Sequence, residues 1–202
     1  MAESFEPWSA NSLVGGHPCL DLVNTRGGPT KERDLDRLSD YAVALAWAQT
    51  AGLITAGEAT ELARSSETQQ RAALTRLRRF RDSLYTVLTG MVEQRVPEPA
   101  PWKAVQDTLR KAHGKAILWP DGPRLQWLIP VKGAGPDTPC LRAALAAQDL
   151  LTGEEVTRIR SCERCSWLYI DRSRGKPRRW CSMAICGNRA KAERHYRRRK
   201  KD

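Results

Sequence analysis

Four of the six cysteines lie within a 25-residue C-terminal segment, and their spacing constrains that segment more than any other feature. They follow the pattern Cys162-x2-Cys165-x15-Cys181-x4-Cys186. Two cysteines separated by two residues form a tight turn whose sulfurs can face one ion, and four thiolates supply the tetrahedral shell that zinc prefers. The sequence therefore predicts one structural Zn²⁺ ion. Because all four ligands would come from the protein, no position would remain for a reactive water.

Paired cysteines have two other common uses. A redox Cys-x-x-Cys normally opens a helix after a strand, whereas the residues after Cys165 read as a strand. An iron–sulfur cluster also takes four cysteines and stays open as the main alternative. The basic surroundings favour zinc in a nucleic-acid-binding module.

The gap between the cysteine pairs predicts a hairpin. Residues 167–170 would form one arm and residues 178–180 the returning arm, followed by a helix that Ser182 caps. A cysteine turn, a hairpin and a helix make a treble-clef-like finger. A module of this size has few large apolar side chains, so we expect metal binding to drive its folding.

The positive charge of the chain is confined to this same segment. Residues 158–202 contain sixteen Lys and Arg against four acidic residues, a net charge of +12, while the rest of the chain has 18 basic and 19 acidic residues. Because each cation placed at a phosphate releases condensed counterions, such a concentration indicates a polyanionic partner. A basic tail that only keeps the protein soluble is the simpler alternative.

The residues after Cys186 predict a basic helix without proline, of a size that fits the major groove of DNA. Asn188 and Arg189, near its start, are candidates either for base contacts or for buttressing the finger, and later residues are candidates for phosphate contacts. The predicted nucleic-acid-binding residues are Arg178, Arg179, Asn188, Arg189, Lys191, Arg194, His195 and Arg198.

The overall prediction is an α+β protein. Residues 1–157 are expected to form a mostly α-helical domain with a small β-hairpin at residues 116–131, and residues 158–202 the finger. The strongest helix spans residues 67–94 and has one apolar stripe. Arg81 and the other arginines of that helix are interpreted as a solvent-exposed face.

The N-terminal domain is expected to sense a small molecule or to form a homodimer. It has nearly zero net charge and several tryptophans, which suit an apolar pocket. The candidate lining residues are His17, Asp21, Asn24, Thr25, Trp47, Trp119 and Trp127. Each tryptophan could instead belong to the core, and the polar residues could bond the backbone at a turn. Only His17 with Cys19 and Asp21 resembles a catalytic cluster, so an enzyme is not expected.

Nothing in the sequence predicts a membrane protein. No segment approaches the ~18 apolar residues of a membrane span, and the acidic N-terminus lacks the pattern of a signal peptide. We therefore expect a cytoplasmic protein.

Two motifs resemble a known family. Cys186-Gly187-Asn188-Arg189, preceded by Trp180-Cys181 and the first cysteine pair, resembles the CGNR zinc-finger proteins. Residues 19–25 resemble the start of the domain usually joined to that finger, described as a "putative stress-induced transcription regulator". The resemblance implies bacterial origin, zinc and DNA binding, together with a sensory or dimerising N-terminal domain. Zinc-ribbon-like folds with arginine-rich tails also bind RNA, which remains the alternative partner.

Overall fold

Helices form most of the chain up to residue 152. The computed structural model describes residues 8, 12–96 and 98–200. The helices are α1 (Pro18–Val23), α2 (Tyr41–Thr50), α3 (Ala56–Leu62), α4 (Glu67–Val92), α5 (Pro99–His113), α6 (Val131–Ala134), α7 (Thr138–Thr152) and α8 (Asn188–Arg199). The strands are β1 (Ile117–Asp121), β2 (Arg124–Leu128), β3 (Ile159–Ser161) and β4 (Leu168–Ile170). Short 3-10 turns at Gly135–Asp137 and Glu154–Arg158 and a π turn at Met183–Gly187 complete the described elements. The predicted fold class is confirmed.

Side-chain caps fix where the helices start. In α3 the Thr55 hydroxyl accepts from the Glu58 N–H while the Glu58 carboxylate accepts from the Thr55 N–H, and Ser66 with Gln69 repeats this box at α4. Each box satisfies two amide donors that a helix start leaves free. Among the described helices, none is long and apolar enough to cross a membrane.

Helix α4 lies at the centre of the helical region. It contacts α1, α2, α5 and α7. Its stripe of Leu77, Phe80, Leu84 and Leu88 is buried, with at most 2% of each residue exposed. Burying side chains of this size stabilises a fold by about 1.5–3 kcal/mol each.

The exposed face predicted for the α4 arginines is wrong at Arg81. Its side chain is 1% exposed. Its guanidinium donates to the Asp36 carboxylate at 2.6 and 2.8 Å and to Asp82 Oδ1 at 3.0 Å. Because residues 25–36 fold back across this side of α4, a face that is polar by helical periodicity becomes an internal ion-pair site. Removing Asp36 would leave Asp82 as the only carboxylate partner of this buried guanidinium, whereas both carboxylates are partly exposed.

The hairpin in the finger also differs from the prediction. Strand β4 pairs antiparallel with β3, with Ile159 opposite Ile170 and Ser161 opposite Leu168. Residues 178–180, the predicted return strand, form no strand. The Cys162-x2-Cys165 turn is itself the hairpin connection, and the Cys162 N–H donates to the Trp167 carbonyl at 2.9 Å. The upstream pairing also buries Ile159 in the helical core together with Leu168 and Ile170, whereas residues 178–180 are exposed or half-buried.

Strand β4 joins the finger to the helices. Leu168 and Ile170 belong to the same buried cluster as the helical core, whereas Tyr169 packs with the four cysteines and Trp167. Successive residues of a strand face opposite sides. The strand therefore places one face in each of two cores.

Candidate metal centre and nucleic-acid interface

The four C-terminal cysteines converge on one point. Their sulfurs all lie within 4.8 Å of one another, and all four residues are buried. Cys181 Sγ lies 3.8 Å from Cys165 Sγ and 3.7 Å from Cys186 Sγ. A tetrahedral ion with ~2.3 Å bonds to sulfur separates its ligands by about 3.8 Å. The four thiols therefore fit one zinc ion.

Two local structures position the ligands. The turn between β3 and β4 supplies Cys162 and Cys165, and the π turn at Met183–Gly187 contains Cys186, just after Cys181. The Ser182 hydroxyl accepts from the Ile185 N–H at 3.4 Å, as the predicted helix cap. A Cβ at Gly187 would lie 2.7 Å from Met183 Sδ. A larger residue at this position would therefore require the half-exposed Met183 side chain to move.

The crowded thiols carry negative charge unequally. Hydrogen bonds from Cys165 and Cys181 hold the pKa of Cys162 far below its usual range. The neighbouring Cys162 raises the pKa of Cys165 to about 12 and also raises the pKa of Cys181 above its usual range. Zinc binds thiolates, so it must displace the protons that these sulfurs retain.

Arg178 and Arg179, two predicted nucleic-acid contacts, brace the finger. The Arg178 guanidinium lies 4.6 Å from the centre of the Tyr169 ring and donates to the Ile170 carbonyl at 2.7 Å. Arg179 donates to Glu163 at 2.8 Å and lies over the half-buried Trp180 ring. Both guanidiniums still have exposed surface, so they can stabilise the finger and contact an anion at once.

Helix α8 has one face attached to the rest of the protein. Arg189 Nη2 donates to the Pro29 carbonyl at 2.7 Å, which connects the helix start to the N-terminal region. One turn further, Glu193 accepts from Arg164 at 2.5 Å and from Arg197 at 2.7 Å. Arg189 was a candidate either for a base contact or for supporting the finger, and its hydrogen bond to Pro29 matches the supporting role.

The other face of α8 is exposed. Asn188 donates to the Ala184 carbonyl at 3.2 Å and is otherwise open to solvent. Lys191 is exposed like Arg194, and within the described part of the chain neither forms an ion pair. His195 and Arg198, the remaining predicted contacts, lie on α8, and the structure does not describe their side chains.

The polar candidates of the N-terminal region hold α1 and the finger in place. Asn24 is 4% exposed; its Oδ1 accepts from the Leu168 N–H at 2.9 Å and its Nδ2 donates to the Leu168 carbonyl at 2.8 Å. Thr25 donates to the Leu22 carbonyl at 2.7 Å. The Asn24 side chain therefore forms the two hydrogen bonds with the β4 backbone that a neighbouring strand would form.

His17 and Asp21 close the start of α1. The His17 ring accepts from the Cys19 N–H at 3.2 Å, and Asp21 accepts from the Gly15 N–H at 2.8 Å. Burial raises the pKa of Asp21 to about 6 and raises the pKa of Cys19 beyond its usual range. A thiol of that kind is a poor nucleophile.

The tryptophan candidates lie in different surroundings. Trp47 is fully buried, whereas Trp119 and Trp127 on the β1–β2 hairpin are 51% and 52% exposed. The Trp127 ring meets the His113 ring edge-on at a centroid distance of 5.9 Å. The polar and aromatic residues predicted to line one pocket thus occupy three separate places: α1 and its ends, the helical core and an exposed hairpin.

Sequence reasoning missed the residues that join the finger to the helices. The Tyr85 hydroxyl donates to the Ser166 carbonyl at 2.9 Å, Lys31 donates to the Cys162 carbonyl, and Arg172 forms an ion pair with Glu155. Tyr85 and Lys31 lie 81 and 131 residues from their partners. No local pattern signals contacts over such distances.

A buried four-thiolate centre followed by a basic helix defines a structural zinc finger. The sequence model of one family, described as "Putative stress-induced transcription regulator", matches residues 16–154, and that of the CGNR zinc finger matches residues 158–199. Because the first model covers more than half of the chain, the chain belongs to the family described as "Putative stress-induced transcription regulator", as its motifs predicted. A search of curated proteins found no match. The finger binds one structural zinc ion, and the match selects zinc over the iron–sulfur alternative.

Proposed function

We propose that this protein is a transcription regulator that binds duplex DNA through its zinc finger and helix α8. The observation that carries the proposal is the exposed cationic face of α8, which is held on a metal-built scaffold while its opposite face is attached to the protein. A tail serving only solubility would need neither the zinc site nor the Arg189–Pro29 contact. The family descriptions name a regulator and a zinc finger and no enzyme.

The two faces of α8 assign different roles to its side chains. Asn188, Lys191 and Arg194 follow one another at three-residue intervals on the free side, so they can enter a groove together. In this proposal Asn188 contacts a base edge, and Lys191 and Arg194 contact phosphates. Arg189 sets the angle of the helix through Pro29. His195 and Arg198 extend the free face by helical periodicity alone.

RNA is the alternative polyanion, because arginine-rich segments also recognise RNA by shape. Fluorescence anisotropy would compare duplex DNA, a structured RNA and single strands at matched salt, using DNA sequences selected from a random pool by the zinc-loaded protein. We expect the selected duplex to bind most tightly and its scrambled version more weakly. Tighter binding to RNA than to the selected duplex would contradict the proposal.

For residues 1–157 we propose a dimerisation role, beside that of sensing a small effector. The supporting feature is the β1–β2 hairpin, whose register places Leu118 opposite Trp127 and Pro120 opposite Leu125 on one face. Leu118, Leu125 and Trp127 are each at least 50% exposed. A two-stranded hairpin is marginal in water, and an apolar partner surface would stabilise it.

Sedimentation would test the dimer. Leu125→Lys places a charge on the proposed dimer face, whereas the matched Gln126→Lys places the same charge on the opposite face, beside Trp119. We expect only Leu125→Lys to shift the protein to monomers. A wild-type protein that is monomeric at all concentrations would contradict this role.

The family further suggests where such a regulator acts. We propose a bacterial cytoplasmic protein that associates with the nucleoid when it is bound to DNA.

A further inference from the structure

We propose that the cleft between α4, α5 and α7 binds a small amphipathic carboxylate, a site distinct from the finger. The cleft has a volume of about 190 Å³. Helix α4 contributes Arg76, Arg79 and Phe80, α5 contributes four residues between Ala104 and Lys111, and α7 contributes Cys140 and Leu141. Three helix faces therefore converge on one concave surface, as in ligand sites between the helices of bundles.

The floor of the cleft is apolar. Phe80 is 2% exposed, Cys140 4% and Leu141 7%, and all three line the cleft. Burial raises the pKa of Cys140 to about 12, so this thiol stays neutral and acts as one more apolar surface. A hydrocarbon or aromatic group fits such a floor.

The rim of the cleft carries uncompensated positive charge. Arg76 already bonds Asp137 at 2.7 Å, and Asp107 accepts from Lys103 at 2.7 Å and from Arg110 at 2.8 Å. Both acidic residues of the lining are thus already paired with basic side chains. Arg79 and Lys111 also line the cleft, are exposed, and form no ion pair with any described residue. Two cations above an apolar floor leave room for one anion.

A carboxylate suits these two cations. A guanidinium can bind both oxygens of a carboxylate in a planar pair, and an ammonium adds a point charge. The small volume limits the ligand to about the size of benzoate.

Calorimetric titration of the zinc-loaded protein with benzoate tests the site, with benzamide as the uncharged analogue and inorganic phosphate as an anion without a ring. The variant Arg79→Gln/Lys111→Gln removes both free cations. Its matched control, Arg71→Gln/Lys115→Gln, removes two exposed cations outside the cleft, one on α4 and one just after α5.

We expect benzoate to bind the wild type and the control alike, and the cleft variant at least tenfold more weakly. Benzamide and phosphate should both bind more weakly than benzoate. Equal binding of benzamide, equal binding of phosphate, an unaffected cleft variant or no benzoate binding would each overturn the inference. The titration contains no DNA, so a failure of the proposed DNA binding would leave its result intact.

Discussion

The helical region and the zinc finger reach a folded structure by different means. The helices bury a continuous core around α4, whereas the buried cluster of the finger consists of four cysteines, Trp167 and Tyr169. A segment with so little apolar surface relies on the metal for stability, since zinc binding to small fingers contributes about 10–16 kcal/mol. The comparison shows why helix α8 can be so highly charged: the zinc site, and not an apolar face of the helix, stabilises the finger.

Removal of one zinc ligand should have very different effects on the folding of the two regions, and this is the largest effect that we expect. Cys186→Ser should weaken zinc binding by more than about a hundredfold and disorder the finger, because three thiolates leave the shell incomplete. The helical core should remain folded, since its buried cluster is mostly made by other elements. Zinc content by mass spectrometry and amide NMR spectra would measure both effects. Cys140→Ser, at a buried cysteine outside the shell, is the control and should keep full zinc occupancy.

Asn24→Ala should weaken the connection between the two regions. It leaves the buried N–H and carbonyl of Leu168 without their partner, which costs about 2–4 kcal/mol of unfolding free energy. Urea denaturation would give that value, and hydrogen exchange should show faster exchange in β4. Asn188→Ala, at an exposed asparagine, should change the unfolding free energy little. Equal effects of the two substitutions would mean that Asn24 does not connect the regions.

A change at Asp21 should make the helical region less sensitive to pH. Burial raises the folded-state pKa of Asp21 to about 6, above its unfolded value of ~3.9. The folded protein then holds a proton that the unfolded chain releases, so this group lowers stability as pH rises from about 4 to about 6. Asp21→Asn keeps an oxygen for the Gly15 N–H without the charge. Near pH 7 it should be more stable than the wild type by about 1–3 kcal/mol.

Urea denaturation of the zinc-loaded proteins at several pH values would measure this gain. Asp34→Asn, at an exposed aspartate, is the control and should follow the wild type. No gain near neutral pH would show that the Asp21 carboxylate is stabilised as an anion in the fold.

The smallest effects should separate the two faces of α8. Arg194→Ala should weaken DNA binding by about 1 kcal/mol and lower the salt slope by about one, because one phosphate contact is lost. Arg189→Ala should mainly lower the melting temperature by releasing the helix from Pro29. Binding isotherms at several salt concentrations, with melting curves, would distinguish these roles. An unchanged salt slope for Arg194→Ala would place the interface elsewhere.

The features that the sequence predicted best are local. The spacing of the four cysteines, the helix cap at Ser182 and the β1–β2 hairpin each depend on residues close in the chain. The errors concern choices between distant partners. Strand β4 could pair upstream or downstream, and the pattern of residues 167–170 is the same in both cases. Arg81 lies on a polar helical face that a separate segment covers, and Asn24 reaches a strand 144 residues away. Helical periodicity identifies one buried face and cannot show that a second is covered.

The central claim is that zinc builds the finger that presents α8 to DNA while the helical core stands without the metal. The most direct test titrates labelled duplex DNA with the protein as purified, after removal of zinc by a chelator, and after zinc is restored. We predict that chelation abolishes binding, that zinc restores it, and that the α4 amides stay protected from hydrogen exchange throughout. Full DNA binding by the metal-free protein would contradict the claim.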